Sequence, residues 1–152
     1  VTIEPHTDKE DLRLALHLEW VDHFQTRRQT WMSLEACAIA LAAFTLAGLR
    51  IGNLAVITAL GVLVALMGVA GAGVSWHHRK AQVRKFDHID RLEGALGLHA
   101  TGLLDDVHPP RPFSAADILD PRRMNTPLFI LRMHLAIAVF ALVYLVGRWT
   151  LR

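Results

Sequence analysis

One cysteine, Cys37, stands in a chain of 152 residues, so no intrachain disulfide forms and a disulfide-stapled scaffold is excluded. Nucleotide and hydrolase signatures are missing: there is no Walker A loop, no GxGxxG and no GxSxG. Metal and haem signatures are missing too, with no HExxH, CxxC or CxxCH among the nine histidines. No Gly/Ser linker or fixed-period repeat divides the chain. The first thirty residues are polar and acidic and lack the apolar core and small-residue cleavage site of a secretory signal.

What the chain has in quantity is apolar side chains. They make up 53% of it, with a mean hydropathy of +0.31, and they concentrate in blocks 31–49, 54–76 and 128–146. A helix of roughly 20 apolar residues spans about 30 Å, the thickness of a bilayer core. This excludes a simple soluble globule, a disordered tail and a collagen-like chain. The net charge is only +2, yet 12 of the 16 basic residues lie before the first block or between the second and third. The positive-inside bias places both segments in the cytoplasm. The N-terminus is then inside, the hairpin 48–53 outside, and the C-terminus outside.

Thr7-x-x-Glu10 reads as a capping box that opens a helix near Asp8. Leu12, Leu16, Trp20 and Phe24 recur every fourth residue as one stripe, and neither Pro nor Gly interrupts 8–47. One helix is expected to run from the cytoplasm into the membrane. Past Trp76, a residue suited to the interface, the apolar spacing continues through Val83, Phe86, Ile89, Leu92 and Leu96. The second span should therefore extend as a stalk whose stripe packs on the N-terminal one. Residues 98–127 hold most of the prolines and read as an ordered, non-helical cover, with Ser114 to Asp117 suited to cap a short helix.

The expected fold is all-α, a three-span transmembrane helical bundle with spans one and two extended into a cytoplasmic amphipathic layer, plus a proline-rich loop. The parts are an N-terminal amphipathic helix (1–30), a transmembrane hairpin (31–76), a stalk and proline-rich insert (77–127), and a third transmembrane helix (128–152).

Helix packing is expected at Gly61/Ala65 and Gly68/Ala72, small pairs that let backbones approach closely within one chain or between chains. Charged groups inside spans are costly and rare. Glu35 and Arg132 enter their spans at similar depth, which makes them candidates for an ion pair within or between subunits; the alternatives are snorkelling and an ion pathway. His134 is the one histidine in a span and reads as an interior hydrogen-bonding residue or a headgroup contact. His77, His78, Arg79, Lys80, Arg84 and Lys85 cluster at the end of span two and suit anionic headgroups, which makes lipid rather than nucleic acid the expected partner. No metal, cofactor or catalytic residue is expected.

Arg27-Arg28-Gln29-Thr30 at the entry of span one is followed by Trp76-x-x-Arg79. Then come Lys85-Phe86-x-x-Ile89-x-x-Leu92-Glu93-x-x-Leu96-Gly97, a proline-rich insert and a third apolar segment. Together these resemble the RipA family of small bacterial membrane proteins, which are similar to the pore-forming accessory membrane proteins of type VI CRISPR systems. The resemblance covers most of 10–146 and is most specific at 85–97. It implies a bacterial inner-membrane homo-oligomer, an octamer or a ring of about eight copies, with a cytoplasmic vestibule. The insert 98–127 matches none of these motifs and leaves room for an unidentified protein partner on the cytoplasmic side. The expected function is a small integral membrane protein that self-assembles into a ring with a pore or channel-like axis. The alternatives are a non-catalytic accessory subunit of a larger membrane enzyme complex and a haem- or copper-binding redox subunit.

Overall fold

The first helix begins at the acidic turn that the sequence marks. In the computed structural model, which describes residues 8–101, 111–123 and 125–151, Asp8 is the N-cap and its carboxylate accepts from the Glu10 amide at 3.3 Å. Thr7 lies outside the described residues. Helix α1 then runs Lys9–Arg50 without a break. Asn53 starts α2, Leu54–Ala95, by accepting from the amides of Ala55 and Val56. At 42 residues each, α1 and α2 are about 63 Å long, twice what a bilayer core requires. Gly97, at φ 74°, takes the left-handed conformation that ends α2.

The segment expected to be non-helical contains two short helical pieces. One is a 3-10 turn at Leu98–Thr101, and the other is α3, Ala115–Leu119, closed by a capping box between Ser114 and Asp117. Five residues suffice for α3 because that box satisfies its first amides. The portion of the proline-rich run at 107–110 lies outside the described residues. Helix α4, Thr126–Thr150, is capped by Asn125, which accepts from the Leu128 amide at 2.9 Å, with Pro127 in the first turn, where a missing N–H costs nothing.

Helices α1, α2 and α4 are each long and apolar enough to cross a membrane. The chain is an all-α, three-span, multi-pass membrane protein. Helix α2 lies between the other two and runs antiparallel to both: Thr30 meets His78 and Cys37 meets Met67 on one side, while Ser75 meets His134 and Thr58 meets Trp149 on the other.

Close approach of α2 and α4 explains the small residues. Gly61, Ala65, Gly68 and Ala72 are all buried. A Cβ at Gly61 would lie 2.7 Å from the Leu145 side chain, and one at Gly68 would lie 2.8 Å from the His134 carbonyl oxygen. These faces therefore pack within the chain. The order of α1 and α4 is fixed at the hairpin end by Phe44 and Tyr144, whose rings meet edge to face at 5.1 Å.

The two long helices stay together beyond the apolar blocks. Trp20 and His23 meet the Phe86 ring edge-on at 5.7 and 5.2 Å, Leu12, Ile89 and Leu92 are buried, and Lys85 pairs with Asp22. The expected pairing of the two stripes is present, with one correction. Steps of four residues rotate by about 40° per step on a helix, so Phe24 lies about 120° around from Leu12. Phe24 is exposed, and Thr26 and Thr30 take the buried line instead.

Candidate functional site

Where the paired extensions meet the start of α4, the backbones leave a cleft of about 290 Å³. Helix α1 contributes His23, Arg27 and Thr30 to it; α2 contributes Ser75, His78, Arg79, Gln82 and Phe86; α4 contributes its first turn, Asn125 to Pro127, and Ile130. Among the described residues two arginines and two histidines line this space, and no carboxylate does.

Each polar group there has a defined state. The Thr30 hydroxyl donates to the Thr26 carbonyl at 2.9 Å and also sits 3.0 Å from His78 Nδ1. Arg79 Nε donates to the Arg111 carbonyl at 2.9 Å, and its guanidinium lies 5.4 Å from the centre of the Phe113 ring, a cation–π contact. This anchors the arginine through one of its five donors. Gln82 is 6% exposed and its amide makes no hydrogen bond among the described residues. His23 Nδ1 is likewise buried and unpartnered.

Burial, then Arg27, Lys85 and Arg79, hold His23 below the ordinary histidine value against a smaller opposing pull from Asp22. Burial, then His77 and Lys85, lower His78 in the same way. Both rings are thus biased towards the neutral form.

Beneath the cleft, Ser75 links it to His134, which is fully buried. His134 Nδ1 lies 2.9 Å from the Ile130 carbonyl, which can only accept, so this nitrogen carries the proton. Nε2 lies 3.2 Å from the Ser33 hydroxyl, and Ser75 Oγ approaches Nδ1 at 3.4 Å. The buried ring ties α1, α2 and α4 together through these contacts.

The remaining candidates are distributed differently from the sequence pattern. Arg132 does not meet Glu35 within the chain. Its guanidinium donates to the backbone carbonyls of Asp117, Ile118 and Arg123 at 2.8–3.0 Å, and to that of Asp120. It thereby closes the C-terminal end of α3, where unpaired carbonyls concentrate. Glu35 is exposed at the edge of an apolar groove between α1 and α4, with no ion pair among the described residues.

The basic cluster divides in two. His77, Lys80 and Arg84 face outward, with Lys80 5.7 Å from the Trp76 ring centre, whereas His78, Arg79 and Lys85 turn inward onto Thr30, Arg111 and Asp22. Spacing along α2 separates these sets but does not identify the inward one. Gln82, Thr30, Ser33, His23 and Gly71 were missed by sequence reasoning. Apart from Gly71, which is one small residue among several in span two, their one visible signal is polarity at the margins of otherwise apolar runs.

The fold and these contacts define a small multi-pass membrane protein with a basic cleft at one end of its bundle. Comparison with protein-family models, with curated proteins and with solved structures found no match in any of the three.

Proposed function

We propose that the protein is a non-catalytic component of the bacterial cytoplasmic membrane that self-assembles into a ring with a channel-like axis. Its N-terminus and the paired extensions lie in the cytoplasm, in keeping with the basic residues there. The observation that carries the reading is the outer face of α1. Leu14, Leu18 and Val21 recur on one line of that helix and are 58, 57 and 38% exposed. That line is opposite the buried Leu12, Thr26 and Thr30.

Leu14 precedes Trp31 by about 25 Å of helix and Val21 by about 15 Å, beyond the reach of the bilayer core. Lipid does not cover these side chains, and exposed apolar stripes of this kind mark interaction sites. The corresponding outer face of α2 is polar, with His77, Lys80, Arg84, Asp87 and Asp90 exposed. Glu35 adds to the argument, since an intramembrane carboxylate with no ion pair among the described residues calls for a partner from a neighbour. The resemblance of residues 85–97 to the RipA family supports about eight copies in the ring.

Mass measurement of the whole protein in mild detergent tests the assembly: the expected result is a multiple of the 16.9 kDa chain. A lone subunit overturns the ring and leaves the accessory-subunit reading. Ion flux across protein-loaded liposomes tests the channel-like axis, and vesicles as tight as protein-free ones would reduce the ring to a scaffold.

A further inference from the structure

We propose that the cleft between α1, α2 and the start of α4 is a binding site for a phosphate group. All of its lining comes from one chain, so the proposal holds whether the protein is a single copy or a ring. Three independent features converge on this chemistry.

The first is charge. Arg27 and Arg79 line the cleft, and no carboxylate does among the described residues. Arg79 is held in place by the Arg111 carbonyl and the Phe113 ring, which leaves the rest of its fork for a ligand. A pre-positioned guanidinium suits the planar, two-pronged recognition of phosphate oxygens.

The second is unmet hydrogen bonding. A buried nitrogen without a partner forfeits its hydration for nothing. His23 Nδ1 is in that state, and Gln82, 6% exposed, lines the cleft with no hydrogen bond to another described residue. An oxyanion would accept from the Gln82 amide and from a protonated His23.

The third is the direction of α4. Its N-terminal turn borders the cleft and has no acidic side chain to offset the positive end of the helix dipole.

The histidines give the site a pH response. Around His23 stand Asp22 and Arg27 of its own helix and Arg79 and Lys85 of α2; around His78 stand His77, Lys85 and the Thr30 hydroxyl. Burial first, and these cations after it, hold both rings below the ordinary histidine value in the empty cleft. A bound anion reverses that balance and favours the imidazolium, and by linkage protonation then favours the anion. Binding tightens as pH falls.

One chemistry admits two sources, a free phosphate and a phosphomonoester headgroup at the membrane surface, and the test separates them. The full-length protein is placed in nanodiscs of phosphatidylcholine and titrated with inorganic phosphate by calorimetry. A parallel set carries graded phosphatidic acid and is read by thermal stability. Saturable heat in the first set identifies a free anion. Stabilisation only in the second identifies a headgroup.

In whichever arm responds, Arg27→Gln, at an exposed position that the fold does not need, weakens binding about ten-fold, the equivalent of one charge-assisted hydrogen bond. Gln82→Leu, which keeps the volume apolar, weakens it as well. Sulfate, whose charge is constant from pH 5 to 8, serves as the probe for the pH arm and should bind more tightly at the acid end. Absence of a response in both sets, or a response unaffected by both substitutions, overturns the proposal.

Discussion

His134 packs its imidazole onto the backbone of α2 at Gly71, in the space that a side chain at position 71 would occupy. A ring held this way, with both nitrogens satisfied, sets the spacing between the α2 and α4 backbones. Gly71→Ala should therefore force the two helices apart and destabilise the bundle by about 1–3 kcal/mol, as overpacking does. Gly73, two residues on, faces open space. Gly73→Ala should be neutral or stabilising by roughly 0.5 kcal/mol through helix propensity. Unfolding in mixed micelles with increasing denaturing detergent measures both, and equal effects would contradict the packing described.

Arg132 is predicted to be irreplaceable by lysine. Its guanidinium reaches carbonyls of Asp117, Ile118, Asp120 and Arg123 at once, a spread that a single ammonium does not cover. In Arg132→Lys, trypsin should cut after Arg122 or Arg123 about ten-fold faster, while the three long helices keep their circular dichroism. The factor corresponds to loss of one charge-assisted bond. An unchanged cutting rate would contradict this role.

Acid should weaken the empty protein. His23 and His78 have folded pKa values below the ordinary one, so the unfolded chain takes up protons first as pH falls. Their contribution is fully present above about pH 6.5 and is lost as pH drops from there towards the lowered folded values. Detergent-unfolding midpoints recorded in anion-poor buffer from pH 7.5 to pH 5 should fall, and the slope should flatten in the His23→Gln, His78→Gln double variant. A midpoint that rises with acid would contradict the burial of these rings.

The outer face of α1 offers a prediction separable from folding. Leu14→Ser with Leu18→Ser should lower the mass of the detergent-extracted particle while changing the stability of the single chain by less than about 0.5 kcal/mol, as surface changes do. Size-exclusion chromatography with light scattering checks it, and an unaltered particle would place the contact elsewhere.

The architecture was legible because its causes are local. Long apolar runs gave the three crossings, the lack of Pro and Gly over 8–47 gave the unbroken α1, and Ser114 with Asp117 gave the cap of α3. Other features depend on rotation and on backbone. Phe24 leaves the stripe because four residues turn the helix by about 40° more than one full turn, a drift that a fourth-residue repeat hides. The partners of Arg132 are carbonyls, which every residue has, so no letter of the sequence marks them. The cleft collects Arg27, Gln82 and Thr126 from three distant helices, and only the register of the packing brings them together.

The most direct test of three crossings with both long extensions on one side is labelling of single cysteines. In a Cys37→Ala background, Arg13→Cys, Gly52→Cys, Gly94→Cys and Arg122→Cys are each treated with an impermeant maleimide on sealed vesicles of known orientation. Position 52 should label from one face, and positions 13, 94 and 122 from the opposite face. Labelling of 13 or 94 from the same face as 52 would contradict the account.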